Sequence, residues 1–160
     1  MVTTPETDPT TFMLQEGDEG DNTLVGTIMP DRLLGLGGND TLVGNEAGDY
    51  LQGGGGNDTL TGGFSDPDSG PEDDPDRFVF GRVDGDDTIT DFKAGCPDCD
   101  WIETPDRIIL LDASPEDITA LIENATSTPN GDTVLHYGET DVTLTSVSTV
   151  GLFPEMFILG

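Results

Sequence analysis

Basic residues are nearly absent from this sequence, and their scarcity narrows the range of partners. The 160-residue chain has five Lys and Arg against 33 Asp and Glu, which gives a formal net charge of −28. A surface of this sign repels phosphate polymers and anionic lipids, so neither nucleic acid nor a membrane surface is expected as a partner. Such a surface attracts cations.

Other absences exclude further classes. No apolar run approaches the roughly 20 residues that a membrane span needs. The chain has one His, two Cys and no HExxH motif, so neither a zinc site nor a metalloprotease centre is expected. The first fifteen residues lack the basic and apolar regions of a secretory leader. We therefore expect a soluble protein that is not an enzyme and whose export, if it is exported, does not use an N-terminal signal.

The sequence does contain a nine-residue repeat. Five consecutive units occupy residues 17–61, with Gly at every first position and Leu at every eighth position. A disordered acidic tract has no reason to keep such a frame. The sixth positions of the five units are Asn22, Asp31, Asp40, Asp49 and Asp58.

Each unit is predicted to form a tight turn followed by a very short strand. Gly, Asn and Asp in the first six positions favour turns, and the last three residues alternate so that only the Leu faces inward. Two units then make one coil of eighteen residues, and stacked coils form two parallel sheets with the Leu side chains between them. We expect Leu24, Leu42 and Leu60 to line one sheet, and Leu51 with Leu33 or Leu34 to line the other.

The sixth-position acids indicate bound metal. Asp40 is expected over Asp58, and Asp31 over Asp49, at the spacing of adjacent strands, about 4.8 Å. Carboxylates stacked at this distance repel each other unless a cation lies between them. Ca²⁺ fits best, because it accepts carboxylate and carbonyl oxygens in flexible geometry, whereas Mg²⁺ is stricter and Zn²⁺ prefers His or Cys.

These units resemble the G-G-x-G-x-D-x-U-x nonapeptide of RTX (repeats-in-toxin) calcium-binding proteins. The segments that follow, DRFVF (76–80), VDGDDTITDF (83–92), DRIILLD (106–112) and PEMFILG (154–160), come in an order similar to the C-terminal β-roll of serralysin-type proteases and the R-modules of alginate epimerases. The resemblance implies an all-β fold. It would be a right-handed parallel β-roll (a β-solenoid) of nonapeptide repeats, with a C-terminal β-rich cap that contains a short helix.

The chain is expected to have three parts. These are a flexible N-terminal segment (1–16), a calcium-binding β-roll (17–95) with an inserted loop at 64–75, and a C-terminal cap (96–160). Within the cap, residues 106–111 predict a buried strand, and SPEDITALIEN (114–124) predicts a helix with Ser114 as its N-cap. DTVLHY and VTLTSV, on either side of GETD (138–141), predict a β-hairpin.

The resemblance also implies three to five bound calcium ions, held by sixth-position side chains and by carbonyl groups of the turns. Asp58 is expected to stack on Asp87, and Asp91 to add a ligand. The expected ligands are Asp40, Asp58, Asp49, Asp31, Asp76, Asp87, Asn22, Asp91, Gly37, Gly38, Gly55 and Gly56.

The C-terminal residues 155–159 have two compatible interpretations. By resemblance they form a signal for type I secretion, and by their apolar pattern they form a final strand packed on the cap. We therefore expect a bacterial protein that is secreted to the extracellular space, with calcium and the type I secretion machinery as partners, and that folds on binding Ca²⁺. The alternatives are a folding and targeting module of a larger secreted protease or epimerase, and a binding surface for extracellular polysaccharide on Thr23/Thr41/Thr59 and Val25/Val43/Thr61.

Cys96 and Cys99 leave several possibilities open. A disulfide that closes an inserted loop at 95–105 is favoured for an extracellular protein, with free thiols and catalysis as alternatives. The glycine runs precede no Gly-Lys-Ser/Thr, so nucleotide binding is not expected. His136 is predicted to be a packing or surface residue.

Overall fold

The computed structural model of the protein describes residues 12–64, 75–94 and 105–160. Within these ranges the strands, numbered along the chain, form two sheets. The first sheet contains, in spatial order, β1 (Met13–Glu16), β3 (Asp31–Gly37), β5 (Tyr50–Gly55), β7 (Arg77–Phe80), β9 (Arg107–Leu110) and β13 (Phe157–Leu159). The second sheet contains β2 (Thr23–Val25), β4 (Thr41–Glu46), β6 (Thr59–Phe64), β8 (Asp86–Ile89), β12 (Thr140–Leu144), β11 (Thr133–Tyr137) and β10 (Thr126–Ser127).

From β1 to β10, consecutive strands alternate between the two sheets, as the nine-residue unit predicts. Thr41 pairs with Thr59 in the second sheet, and Arg32 pairs with Tyr50 in the first. Both pairs are one eighteen-residue coil apart. All strand pairs among the described residues are parallel except those that join β10, β11 and β12. The predicted parallel β-roll is therefore confirmed.

The core is a double ladder of apolar side chains between the sheets. Leu24, Leu42 and Leu60 lie in register in the second sheet, and Ile89 continues the ladder. In the first sheet the register decides between the two leucine candidates. Leu33 is fully buried opposite Leu51, whereas Leu34 points outward. Phe78 and Ile108 extend that ladder.

The roll is longer than the repeats at both ends. Residues 13–16, which fall in the segment expected to be flexible, form β1 and pair in parallel with β3. The expected cap is not a separate layer, because its strands β9, β12 and β13 extend the two sheets of the roll. After each inserted loop the chain again adds strands to the two sheets, because the backbone N–H and C=O groups of a new strand can pair with any free sheet edge.

The remaining C-terminal elements close the end of the roll. The predicted helix is confirmed as α1 (Pro115–Glu123), and Ser114 caps it through reciprocal hydrogen bonds with Asp117. The hairpin of β11 and β12 turns at Gly138, so β12 begins at Thr140, two residues earlier than the predicted segment. Arg82 joins this region to the roll, because it pairs with Asp117 at 2.8 Å and lies over the ring of Tyr137.

Some predictions fall outside the described residues. These concern Cys96 and Cys99 and most of the two inserted loops, at 65–74 and 95–104. Among the residues that are described, no helix has the length and apolar character required to cross a membrane.

The first position of each unit requires Gly because a larger side chain would not fit there, and not because of its backbone angle. A Cβ atom on Gly35 would lie 2.1 Å from Asp40 Oδ2 and 2.5 Å from the carbonyl oxygen of Gly53. Gly35 has no positive φ, whereas Gly38 has a φ of 96°. Gly55 has neither constraint, because an added Cβ there meets no atom within 4 Å.

This contrast gives a matched pair of variants. Gly35→Ala is expected to lower the free energy of unfolding in millimolar CaCl₂ by about 1–3 kcal/mol, because its methyl group overlaps the Asp40 carboxylate. Gly55→Ala should change it by less than about 0.5 kcal/mol. Urea unfolding followed by circular dichroism measures both values. Equal destabilisation by the two variants would contradict the steric explanation.

Candidate metal centre

The sixth-position side chains and their counterparts after the repeats stand in two columns, one at the start of the strands of each sheet. The first column precedes strands of the second sheet and contains Asn22, Asp40, Asp58 and Asp87. The second column precedes strands of the first sheet and contains Asp31, Asp49, Asp76 and Asp106.

One hydrogen bond, repeated from coil to coil, builds both columns. In the first column, the Asp40 N–H donates to Asp58 Oδ1 at 2.7 Å, and the Asp58 N–H donates to Asp87 Oδ1 at 2.9 Å. In the second column, the Asp49 N–H donates to Asp76 Oδ1 at 2.8 Å. Each carboxylate therefore lies against the backbone of the acid in the preceding coil, as predicted for Asp40 over Asp58.

Asp106 is a member of the second column that the sequence analysis missed. The Asp76 N–H donates to Asp106 Oδ1 at 3.1 Å, and Asp106 is 2% exposed. Thirty residues separate these two acids, so the nine-residue frame gave no indication of it. A usable signal was present in the residues themselves. Asp106 is followed by Arg-Ile-Ile, just as Asp76 is followed by Arg-Phe-Val and Asp31 by Arg-Leu-Leu.

The column acids are buried, and several of them keep an oxygen without a partner. All seven aspartates of the columns are at most 3% exposed. Oδ2 of Asp40, Asp49 and Asp58 is buried and accepts no hydrogen bond. At the ends of the second column the second oxygen is used, because Asp31 Oδ2 accepts the Thr27 N–H and Asp106 Oδ2 accepts the Lys93 N–H. A buried anionic oxygen without a partner is costly, so the middle of each column requires a cation or a proton.

The pKa values of these acids reflect the same cost. Burial raises the pKa of Asp49 to about 8 and the pKa of Asp76 to about 7. It also raises the pKa of Asp87 to about 7 and the pKa of Asp58 to about 6. The coil-to-coil N–H donor opposes each shift, and repulsion from neighbouring acids adds to it.

The available donors fit a hard divalent cation. In the described part of the chain, no three His, Cys, Asp or Glu side chains converge on one point, so a bound ion would require backbone carbonyls besides the carboxylates of a column. Such oxygens are adjacent, because the Gly53 carbonyl and Asp40 Oδ2 border the same space beside Gly35. The Gly62 carbonyl and Asp49 Oδ2 border the equivalent space beside Gly44. An all-oxygen donor set of this kind suits Ca²⁺.

The predicted glycine ligands lie in the turns between these columns and the preceding strands. Gly37 and Gly55 are in register in the first sheet. Gly38 and Gly56 follow them with positive φ, and their backbones stack so closely that a Cβ on Gly56 would lie 2.0 Å from the Gly38 carbonyl oxygen. Gly55 is exposed, whereas Gly37 is buried with the Glu19 side chain beside it, since a Cβ on Gly37 would lie 3.1 Å from Glu19 Oε2.

Two other predicted ligands have different surroundings. Asn22, at the N-terminal end of the first column, accepts the Asp18 N–H through Oδ1 at 2.6 Å. Both carboxylate oxygens of Asp91 accept backbone N–H groups, from Gly62 at 3.0 Å and from Gly63 at 2.7 Å. Asp91 therefore ties its own coil to the turn of the preceding one.

A second ladder, which was not predicted from the sequence, joins the side chains at the fifth position of the units. Asp21 Oδ1 accepts the Asn39 N–H, and Asn39 Oδ1 accepts the Asn57 N–H, at 2.7 and 2.8 Å. Asn57 Oδ1 in turn accepts the Asp86 N–H at 3.1 Å. These side chains lie on the exposed side of the first column. They give the turns a second line of coil-to-coil hydrogen bonds.

His136 is a surface residue, as predicted. It is exposed, and its Nδ1 lies 2.6 Å from Asp141 Oδ1. Asp141 belongs to β12, where it pairs with Asp86, the residue before the column member Asp87, so His136 lies two strands beyond the end of the first column.

Comparison with known proteins agrees with this geometry. Residues 16–46 and 43–66 match the family model of the RTX calcium-binding nonapeptide repeat, in four copies. No curated protein sequence matches the chain. Among solved structures, the extracellular lipase LipA of Serratia marcescens is similar, with 26% identity and a TM-score of 0.67. The match covers 92% of this chain and 21% of the lipase, so the chain spans about a fifth of that enzyme.

Two smaller structures share the fold over almost their whole length. The AlgE6R2 subunit of the Azotobacter vinelandii mannuronan C5-epimerase is 23% identical with a TM-score of 0.60, and the match covers 96% of this chain and 95% of that subunit. The AlgE6R3 subunit of the epimerase is 22% identical with a TM-score of 0.60, at 99% and 86% coverage.

The raised pKa values predict how the calcium-free protein responds to pH. The unfolded chain has Asp pKa values near 3.9, well below the values of the folded columns, so the folded state holds more protons between about pH 5 and 8. Stability without calcium should therefore be higher at pH 5 and should fall as the pH rises to 8. The slope of β content against pH, followed by circular dichroism of calcium-depleted protein between pH 5 and 8, measures this dependence.

A pair of variants tests the assignment to the columns. Asp49→Asn with Asp76→Asn should flatten the slope, because an amide does not titrate. Glu123→Gln, at an exposed position on α1, should leave it unchanged. A slope that survives in the double variant would assign the pH dependence to other groups.

Proposed function

Because this chain carries RTX calcium-binding nonapeptide repeats over residues 16–66, we propose that it is a secreted calcium-binding module whose β-roll folds when Ca²⁺ binds between stacked turns. The observation that carries the proposal is the pair of buried aspartate columns, in which Asp40, Asp49 and Asp58 each keep an unpartnered oxygen. These carboxylates cannot remain both charged and buried without a positive partner.

Calcium binding and folding are coupled in this proposal. Without a cation, a net charge of −28 and a core only two side chains thick favour an expanded chain. A bound ion offsets the repulsion within a column and orders the turns on both sides of it, so its binding free energy becomes folding free energy. Each independent site contributes roughly 2.7 kcal/mol when free Ca²⁺ is 100-fold above its Kd.

The columns suggest which residues would hold the ions. Asp40 with Asp58, and Asp58 with Asp87, would hold ions in the first column. Asp49 with Asp76 would hold one in the second, and carbonyl groups of the Gly-rich turns would complete each site. Three to five ions remain the expected number. A bound Ca²⁺ supplies positive charge, while the protein's own residues hold the oxygens in place through the coil-to-coil N–H bonds.

Export of the chain by a type I system follows from the same coupling. The C-terminal residues form β13, which pairs with β9, and Met156 and Phe157 are buried. Within a signal at residues 155–159, Met156 and Phe157 would be accessible only before the roll folds, whereas the other three residues stay exposed. Low cytoplasmic and high external calcium would keep the chain unfolded inside the cell and fold it outside.

A non-catalytic module of a larger secreted enzyme is the second candidate. The match to the AlgE6R2 subunit covers 95% of that subunit, and the match to LipA covers only a fifth of the lipase. Both patterns favour a module that accompanies a catalytic domain. In that setting the β-roll would aid folding and export of the enzyme, and an extracellular polysaccharide would be a possible partner.

A calcium titration tests the coupling. The chain should gain β structure, measured by circular dichroism, when EDTA is replaced by millimolar CaCl₂. Asp40→Asn with Asp58→Asn should move the midpoint to higher calcium and lower the stoichiometry measured by calorimetry. Glu116→Gln, an exposed charge change on α1, is the control. A chain equally rich in β structure in EDTA and in calcium would rule out the switch.

Secretion can be tested separately. A reporter fused to the N-terminus of the chain should be exported by a bacterial host that carries a type I system, and loss of residues 155–160 should abolish export. Calcium-induced folding of the purified truncated chain would separate a lost signal from a lost fold. Undiminished export of the truncated fusion would assign the signal elsewhere.

A further inference from the structure

The single His of the chain lies at the centre of three hydrogen-bonded side chains on the outer surface of the C-terminal hairpin. His136 Nδ1 lies 2.6 Å from Asp141 Oδ1, and His136 Nε2 lies 3.2 Å from Thr126 Oγ1. An ionised carboxylate can only accept, so Nδ1 carries the proton and donates to Asp141. In the neutral ring Nε2 is then the acceptor, and the Thr126 hydroxyl donates to it. We call these three residues the hairpin triad.

Three adjacent strands hold the hairpin triad in position. His136 on β11 is directly opposite Asp141 on β12. Thr126 on β10 is opposite Val134, which precedes His136 by two residues and so lies on the same face of β11. Backbone pairing between strands therefore sets the distances between the three side chains. Side chains placed on strands are aligned before any substrate binds.

Hydrogen bonds on both sides of β10 fix the strand that carries Thr126. Before it, Asn124 ends α1, and its side chain donates back to a carbonyl of the helix at 2.7 Å. After it, the Thr128 hydroxyl donates to Asp132 Oδ2 and accepts the Asp132 N–H, both at 3.1 Å. Asp132 Oδ1 also accepts the Ser146 N–H at 2.9 Å, which ties this turn to the end of β12.

The arrangement meets the requirements of an activated nucleophile. A hydroxyl attacks at neutral pH only when a base takes its proton, and the base is in turn oriented by a third group. His136 Nε2 is within reach of that proton, and Asp141 fixes the tautomer and stabilises the imidazolium that forms. Asp86 pairs with Asp141 on the next strand, so a second carboxylate favours the positive charge.

The nucleophile is open to a substrate and has a backbone donor beside it. Thr126 is exposed, and β10 is the last strand of its sheet in the described part of the chain. The Thr128 N–H donates to the Asp132 carbonyl oxygen on the β11 side at 2.9 Å. Backbone directions alternate along a strand, so the Ser127 N–H points to the free side. It can donate to an oxygen that becomes negative during attack by Thr126.

We propose that the hairpin triad cleaves carboxylic esters by transferring the acyl group to Thr126. Thr126 Oγ1 attacks the ester carbonyl carbon and forms a C–O bond, while its proton passes to His136 Nε2. The bond from that carbon to the alcohol oxygen then breaks, and the alcohol leaves with the proton of the imidazolium. Water next attacks the acyl-threonine and gives a proton to Nε2, which returns it to Oγ1 as the carboxylic acid is released.

The surroundings of the triad limit the class of substrate. The site lies on an open sheet surface, and the oxyanion has the Ser127 N–H and water as its donors, so the transition state is stabilised less than in an enclosed site. Esters of acidic alcohols need the least stabilisation, whereas amides need the most. A net charge of −28 disfavours anionic substrates. We therefore expect cleavage of neutral esters and no cleavage of peptides.

The proposal goes beyond calcium binding and departs from the expectation that the protein is not an enzyme. Hydrolysis of p-nitrophenyl acetate by the full chain in millimolar CaCl₂ tests it. Thr126→Val should lower kcat/KM at least about tenfold, because the imidazole that remains has no hydroxyl to activate. Thr126→Ser restores the hydroxyl and should keep most of the activity. Thr119→Val, which removes an exposed hydroxyl on α1, should leave kcat/KM unchanged.

An unchanged rate in Thr126→Val would assign the hydrolysis to the imidazole alone and overturn the inference. Covalent labelling gives a second measurement. Diisopropyl fluorophosphate should add to Thr126 with loss of fluoride, and peptide mass spectrometry locates the adduct. His136→Gln should abolish this labelling. An adduct at another hydroxyl, or no adduct at all, would contradict the proposal.

Asp141 is a positioning residue, and its role has a separate test. Asp141→Asn should lower kcat/KM about tenfold in the wild-type background and should have no further effect in His136→Gln, because it acts only through the ring. Equal losses in both backgrounds would mean that Asp141 serves the fold. Circular dichroism of the same samples completes the test. Calcium-induced folding without ester cleavage would overturn the inference alone, whereas absence of calcium-induced folding would overturn the proposed function.

Discussion

Every coil of this protein rests on the next through a carboxylate that accepts the N–H of the acid above it. The hydrogen bond from Asp40 N–H to Asp58 Oδ1 uses only one of the two oxygens. The other oxygen remains buried without a partner in the middle of each column. The aspartate that joins two coils thus also introduces the negative charge that opposes their stacking. The coils can therefore stack only when that charge is neutralised.

The surrounding residues serve this arrangement. The first-position glycines leave room for the carboxylates, since a side chain at Gly35 or Gly44 would overlap the acid five residues further on. The Asn39 and Asn57 side chains add a parallel line of hydrogen bonds on the exposed side. Within the repeats, the apolar ladder adds only one buried side chain from each sheet in each coil. Such a thin core contributes little hydrophobic stabilisation per coil, so the hydrogen bonds in the turns contribute a large share of the stability of the roll.

The two outer faces of the roll have different chemistry although both derive from the same repeat position. The residue after the sixth-position acid is Thr23, Thr41 or Thr59 on the second sheet. On the first sheet it is Arg32, Tyr50, Arg77 or Arg107. Two units per coil send alternate repeats to opposite faces, so one fold presents a neutral hydroxyl surface and a cationic one.

The sequence alone determined what each repeat unit does. A nine-residue frame with Gly first, Asp sixth and Leu eighth specifies the coil length, the inward leucines and the stacking of Asp40 on Asp58, because all of these follow from local turn and strand chemistry. The helix at 115–123 was equally local, since its cap and its apolar face lie within eleven residues.

The tertiary structure decided what happens wherever the frame is interrupted. Loop closure becomes only slowly less favourable with loop length, so the inserted loops hide which strand returns to which edge. Asp87, Asp76 and Asp106 therefore follow their column neighbours by 29, 27 and 30 residues. Asp87 and Asp76 were expected as ligands from the sequence, whereas Asp106 was recognised only from the hydrogen bonds between coils. The choice of Leu33 over Leu34 and the alignment of Arg32, Tyr50, Arg77 and Arg107 on neighbouring strands depend on the same register. The spacing of residues in the sequence specifies the conformation within one repeat. The hydrogen bonds between coils decide which residues of different coils are in contact.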